Sequence, residues 1–130
     1  MLLHNSIMCP DGTVLVSRNQ HDFQMYKQQD GREYFVDGGL LYQRIGYSDN
    51  EYINLCVYSD DAHEKIREHF EWTRNFDKDM NKLNAPEILK LKYITDDHLA
   101  ALVEWTVYGY PEEIHKVFID EVSYRNKHSK

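Results

Sequence analysis

Only two residues of this chain are cysteine, Cys9 and Cys56, and neither belongs to a CxxC pair. A zinc ribbon is thereby excluded, and two distant thiols point to a reducing compartment. Basic residues are also scarce, with 15 Lys and Arg against 22 Asp and Glu and a formal net charge of −7. Generic binding to DNA, RNA or an anionic membrane relies on many Lys and Arg contacts to phosphate, so neither long nucleic acid nor membrane is an expected partner. One small anion in a local basic pocket remains compatible with that balance. No apolar run approaches the roughly 20 residues that span a bilayer. The opening MLLHNSIMCP has no basic start and no sustained apolar stretch, unlike a signal peptide.

Chemistry-bearing motifs are thin as well. There is no GxSxG, and Ser17, Ser48 and Ser59 have no nucleophile context. No glycine-rich loop matches a Walker or Rossmann pattern. The seven histidines include no HExxH and no pair at i, i+4, so surface or capping roles outweigh a metal site. No metal and no cofactor is expected. Cys56, in an apolar run, reads as buried and inert.

What is present is globular: 42% hydrophobic residues, 28% charged, and an aromatic set of 10 Tyr, 5 Phe and 2 Trp. A chain of this length buries roughly 65–70% of its unfolded surface, enough for a core without disulfides. A single domain over 1–130 is expected, mainly β over 1–58 and mainly α over 59–126.

In the first part, short apolar runs alternate with turn signals. Leu2 to Cys9, Thr13 to Val16, His21 to Tyr26, Glu33 to Val36, Leu40 to Ile45 and Tyr52 to Tyr58 read as strands. Pro10-Asp11-Gly12 and Gln28-Gln29-Asp30-Gly31 read as hairpin turns. Five or six short strands joined by tight turns form an antiparallel sheet. Beyond residue 60 the spacing is helical. Ser59-Asp60-Asp61 looks like a helix start, with Ala62, Ile66, Phe70 and Thr73 on one face. Residues 74–87 are polar and read as a long loop, and Ile88 to Ile94 as a short strand joining the sheet. Thr95-Asp96-Asp97 caps a second helix. Gly109-Tyr110-Pro111 ends it and starts a third, carried by Ile114, Val117, Phe118 and Glu121. The tail Asn126 to Lys130 is expected to fray. The predicted fold class is α+β, an N-terminal antiparallel sheet followed by two or three helices packed on it.

Three groups of residues hold candidate chemistry. His21 and Asp22 are adjacent, and an Asp beside a His can orient an imidazole for acid–base work. Strand neighbours point to opposite faces, however, so a structural or contact role is the better reading. In DGGLLYQR, Gly38 and Gly39 allow close backbone approach to a ligand or another chain, and Tyr42 and Arg44 would share one strand face. An aromatic plane beside a guanidinium suits a base and a phosphate. A bulge at the glycines with a solvated Tyr/Arg pair is the plainer alternative. In IREHFEW, Phe70 reads as core and Trp72 as an off-stripe contact residue.

The order CPDGTVLVS, HDF, YFVDGGLLYQR, VYSDDAHEKIREHFEW, YITDDHLAAL and a last helix ending in YRN resembles a family of small bacteriophage proteins, the first-described Thoeris anti-defence "sponges". The resemblance spans nearly the whole chain. It implies a protein of the infected host's cytoplasm that binds cyclic nucleotide immune signals, notably cyclic ADP-ribose isomers, and sequesters them without cleavage. It also implies dimers that build into hexamers, and in some members a second site for cyclic trinucleotides. Carried over by motif, Tyr42 and Arg44 would meet base and phosphate, and Phe70 would stack on a ligand ring with Trp72. His21 and Asp22, with Arg18 before them, would lie at the subunit contact and second site. The stretch Arg18-Asn19-Gln20 is less basic than that family pattern. Two other functions compete: an inhibitor that docks on a host protein and, behind it, a nucleotide-processing enzyme using His21, Asp22 or His63.

Overall fold

The computed structural model describes residues 1–47 and 49–129. Ser48, and Lys130 at the end of the expected frayed tail, lie outside the described residues. The fold is α+β, with short antiparallel strands first and helices after them. The chain divides into two compact units, Met1–Asp60 and Asp61–Lys130, where the apolar pattern changes from strand-like to helical.

Among the described residues, the first unit holds seven strands in two sheets, where one sheet of five or six was expected. Strand β1 (Leu2–Met8) is central to one sheet, flanked by β2 (Val14–Ser17) on one side. On its other side run β6 (Ile53–Asn54) and β7 (Val57–Tyr58). The expected single strand over 52–58 is split because the Asn54 side chain accepts from the Cys56 amide (2.9 Å), pulling that amide off the ladder. The second sheet is the meander β3 (Gln24–Lys27), β4 (Glu33–Asp37) and β5 (Arg44–Tyr47). Both hairpin turns fall where Asp-Gly predicts them, with Gly12 at φ 93° and Gly31 at φ 92°. Ile7, Cys9, Leu15, Tyr34 and Val36 form the core of this unit, with Tyr26, Ile45 and Tyr52 packed against them.

Two expected strands are displaced. His21 and Asp22 precede β3 in a turn, and residues 38–41 turn before β5 begins at Arg44. Tyr42 is therefore not on a strand, and the face-sharing argument for Tyr42 and Arg44 does not hold.

The second unit opens with α1 (His63–His69). The expected acidic cap is not used: Ala62 occupies the cap position without a side-chain bond. Phe70 already has extended backbone, so Trp72 lies on a strand and not on the helix. The expected loop over 74–87 is a hairpin of β8 (Glu71–Phe76) and β9 (Lys82–Lys90). Its polarity hid it. Arg74 pairs across the strands with Glu87 (3.0 Å), and Pro86 sits where the register shifts between Arg74 and Phe76, where a missing N–H costs no ladder bond. Asp77 builds the tip, accepting from the amides of Asp79 and Asn81 (both 2.9 Å), while Met80 takes a positive φ of 64°. The expected strand over 88–94 ends at Lys90, and a 3-10 turn (Leu91–Tyr93) follows.

The cap at Thr95 is as predicted: its hydroxyl accepts from the His98 amide (3.3 Å) and opens α2 (Asp96–Trp105). Pro111 is the residue before α3 (Glu112–Lys127), which takes in Asn126 and Lys127, the first two residues of the expected fraying tail. Helices α1 and α2 both pack on α3. Phe118, fully buried, meets Phe70 edge-on at 5.8 Å between ring centroids.

Candidate ligand-binding surface

Alternation along β4 sends Tyr34 and Val36 into the core and Phe35 outward. Met25, Phe35 and Gly46 stand at one register across β3, β4 and β5. Glycine at 46 is a steric requirement, since a Cβ there would lie 1.6 Å from the Phe35 ring. That ring thus lies flat across β5. Arg44 is placed over it, 5.2 Å from the centroid, and its Nη2 donates to the Asp37 carboxylate (2.9 Å). Asp37 is nearly buried while the Arg44 side chain is 59% exposed, so the guanidinium is held from below and open above. Phe23 meets Phe35 at 4.9 Å and is itself half exposed. The result is a solvent-facing surface of Phe23, Met25, Phe35 and Arg44; Leu41 and Tyr42, in the segment before β5, are exposed as well.

Gly38 and Gly39 behave differently from the expectation. Both have positive φ, 104° and 57°, and both are buried. A Cβ on Gly38 would meet the Tyr42 carbonyl oxygen at 2.0 Å, and one on Gly39 the Asn19 backbone at 2.3 Å. The close approach they permit is to this chain's own backbone, and they shape the turn that delivers Arg44. Asn5 anchors that turn. Fully buried on β1, its amide donates to the carbonyls of Asp37 and Gly39 (both 3.0 Å) and of Tyr42 (3.3 Å). Sequence reading passed over Asn5; a polar residue inside the apolar run LLHNSI was the available signal.

The His21–Asp22 pair is not an acid–base dyad. The Asp22 carboxylate accepts from the Arg18 amide (2.8 Å) and from the Gln24 side chain, and its carbonyl accepts from the Ser17 hydroxyl (2.7 Å). Asp22 staples the loop between β2 and β3, while His21 and Arg18 are exposed beside it.

A concavity of about 510 Å³ lies elsewhere in this unit, between the two hairpin tips, lined by Pro10, Asp11, Tyr26, Gln28, Asp30 and Arg32 among others. Its polar groups satisfy one another. Tyr26 donates to Asp11 (2.8 Å), and Arg32 reaches Asp30 (2.9 Å), Asp49 (3.0 Å) and Glu51 (2.7 Å). The amide of Thr13 and the Tyr26 hydroxyl hold the Asp11 carboxyl below its ordinary range, and the Arg32 amide does the same for Asp30. It contains none of the candidate site residues named from the sequence, only residues of and beside the two predicted hairpin turns, and reads as a turn-locking network.

In the second unit, Phe70 is only 2% exposed and its ring packs against Phe118. It is a core side chain, with no face open for stacking on a ligand. Trp72 is half-buried between Phe118 (5.4 Å, edge-on) and Tyr110 (5.8 Å). A second group missed from the sequence is centred on Glu121, which is fully buried. Arg67 grips its carboxylate with two bonds (both 3.0 Å), Arg125 adds one at 2.8 Å, and His63 Nε2 lies 2.9 Å away. Burial pushes the Glu121 carboxyl up, but hydrogen bonds from Arg67, Arg125 and His63 outweigh it and hold it below the ordinary glutamate value. Arg67 also lies 4.3 Å over the Tyr124 ring. The signal was an acid on the apolar stripe of Ile114, Val117 and Phe118: a carboxylate buried there has to be paired. Among the described residues, no group of three or more His, Cys, Asp or Glu could hold a metal ion.

No protein family, no curated protein and no solved structure matches this chain. No helix among the described residues is long and apolar enough to cross a membrane.

Proposed function

We propose that this chain is a non-catalytic receptor for a cyclic nucleotide, bound on the outer face of β3–β5, and that it acts as a sponge for bacterial immune signals in phage-infected cells. The observation that supports this reading is the Arg44 guanidinium, fixed over Phe35 by Asp37 and open to solvent. Phe23, half exposed beside Phe35, offers a ring to a base, and Arg44 offers its remaining donors to a phosphate. Stacking contributes about 1–3 kcal/mol per base, and micromolar to nanomolar affinity needs about 8–12 kcal/mol. The open face thus calls for closure over the ligand by a second copy, in the oligomers the sponge resemblance implies. A closed interface excludes water and strengthens the charged bonds. The immune-signal setting rests on the sequence fragments quoted above.

The test is calorimetric titration with cyclic ADP-ribose isomers and a panel of cyclic di- and trinucleotides, followed by heat release and mass analysis of the ligand. Tight binding with intact ligand recovered is expected, and altered ligand would make the chain an enzyme instead. Arg44→Ala is expected to abolish binding with an unchanged far-ultraviolet circular dichroism spectrum, and Arg44→Lys to weaken it by loss of the planar fork. No binding across the panel, or unchanged affinity in Arg44→Ala, refutes the reading.

A further inference from the structure

The run Glu104 to Glu113, EWTVYGYPEE, has three acids, three aromatics and no Lys or Arg. It spans the connection between α2 and α3. Its rings are unusually open for aromatic side chains, with Tyr108 86% exposed, Trp105 65% and Tyr110 40%, and Val107 beside them at 50%. Trp105 and Tyr110 are nonetheless held in place. Thr106 is buried, its hydroxyl donating to the Leu102 carbonyl (2.8 Å) and lying 3.0 Å from His115 Nδ1. Gly109, at φ 81°, turns the chain so that the Tyr110 hydroxyl accepts from Trp105 Nε1 (3.1 Å). Tyr110 meets Trp72 at 5.8 Å, Trp72 meets Phe118 at 5.4 Å, and Phe118 meets Phe70 at 5.8 Å. A ladder of rings thus runs from the core of the second unit to its surface, so Tyr110 and Trp105 are positioned before any partner arrives, with Tyr108 open beside them.

Glu104, in the last turn of α2, and Glu112 and Glu113, in the first turn of α3, are exposed at the two ends of this segment. Glu112 and Glu113 also complement the dipole of α3, but that explains neither Glu104 nor the open rings. The next cation in the chain, Lys116, is paired with Asp120. An acidic rim repels anionic lipid and a second copy of the same face, and it attracts a cationic partner. Arg and Lys side chains bind to Tyr and Trp faces by cation–π contact and stacking.

We propose that the 104–113 loop is a docking site for a basic peptide segment of another protein, whose Arg and Lys side chains lie on Trp105, Tyr108 and Tyr110 within the acidic rim. The proposal uses residues of the second unit alone and is independent of the nucleotide reading.

Both tryptophans, Trp72 and Trp105, belong to the ring ladder, so intrinsic fluorescence reports on the site directly. The full-length chain is titrated with a seven-residue peptide alternating glycine with Arg and Lys, and with a control peptide carrying Glu at those positions. A saturable change is expected with the basic peptide alone, weakening as salt is raised. Tyr108→Ala is expected to weaken binding about threefold or more, and Glu112→Gln with Glu113→Gln to weaken it and flatten the salt dependence. These side chains are exposed, and circular dichroism checks that the variants fold. No saturable response up to about 1 mM peptide, equal binding in the variants, or a Glu peptide that binds equally well overturns the proposal. Self-association of the unmodified chain in sedimentation velocity that Tyr108→Ala abolishes overturns it too, by making the loop a contact between copies.

Discussion

Replacing Glu121 by Ala tests the electrostatic account of the second unit most directly. The wild-type carboxylate is fully buried and receives two bonds from Arg67 and one from Arg125, with His63 Nε2 at 2.9 Å. The side chains of Arg67 and Arg125 are themselves only 19% and 20% exposed. Removing the acid leaves the largely buried Arg67 guanidinium facing a cavity without its carboxylate, while Arg125 keeps Asp96 (2.8 Å) and the Leu91 carbonyl (3.1 Å). Breaking a buried pair from one side costs about 3–5 kcal/mol. Each kcal/mol shifts Tm by about 4–8 °C in a domain of 60–100 residues, so the fall is measured in tens of degrees. Both tryptophans lie beyond residue 60, so fluorescence during urea unfolding reads this unit alone. The same reasoning makes a second demand. Replacing Glu121, Arg67 and Arg125 together by Leu, Met and Met is close to neutral, because no charge is left buried. A loss below about 1 kcal/mol in Glu121→Ala, or a triple variant less stable than the single one, refutes the reasoning.

The pH dependence follows with a definite sign. The folded Glu121 carboxyl sits below its ordinary value of 4.5, so over that interval the unfolded chain binds the extra proton. Its contribution is complete above about pH 4.5 and is lost as pH falls through the lower folded value. Acid titration of Trp fluorescence is expected to show this limb in the wild type and a flatter one in Glu121→Gln. In the first unit, Asn5→Leu strands the carbonyls of Asp37, Gly39 and Tyr42 and is expected to cost about 1–3 kcal/mol in denaturant unfolding followed by near-ultraviolet Tyr signal. Gly46→Ala forces the Phe35 ring off β5, and is expected to cost about 1–3 kcal/mol and to weaken nucleotide binding with it. Thr95→Ala removes the cap of α2 and is expected to cost about 1 kcal/mol by Trp fluorescence in urea.

Local signals settled a good deal before any tertiary structure was needed. Asp-Gly turns fixed both hairpins because only glycine takes positive φ there without strain, and Thr95 announced α2 because its hydroxyl satisfies an orphan amide. Apolar spacing over Ile114, Val117 and Phe118 located α3, and the change of period near residue 60 marked the division of the chain. Arg44 was expected to share a strand face with Tyr42, and the ring it lies over is a different one. Its partner is Phe35, a residue of the neighbouring strand, and adjacency across a sheet is invisible to spacing along the chain. The hairpin of β8 and β9 was equally hidden, since its Arg74–Glu87 pair makes a strand look like a polar loop. Composition and periodicity set which segments bury a face and where the chain turns, because those are properties of residues and their immediate neighbours. Which side chains meet, such as Glu121 with Arg67 or Asn5 with three carbonyls, was decided by contacts between residues dozens of positions apart.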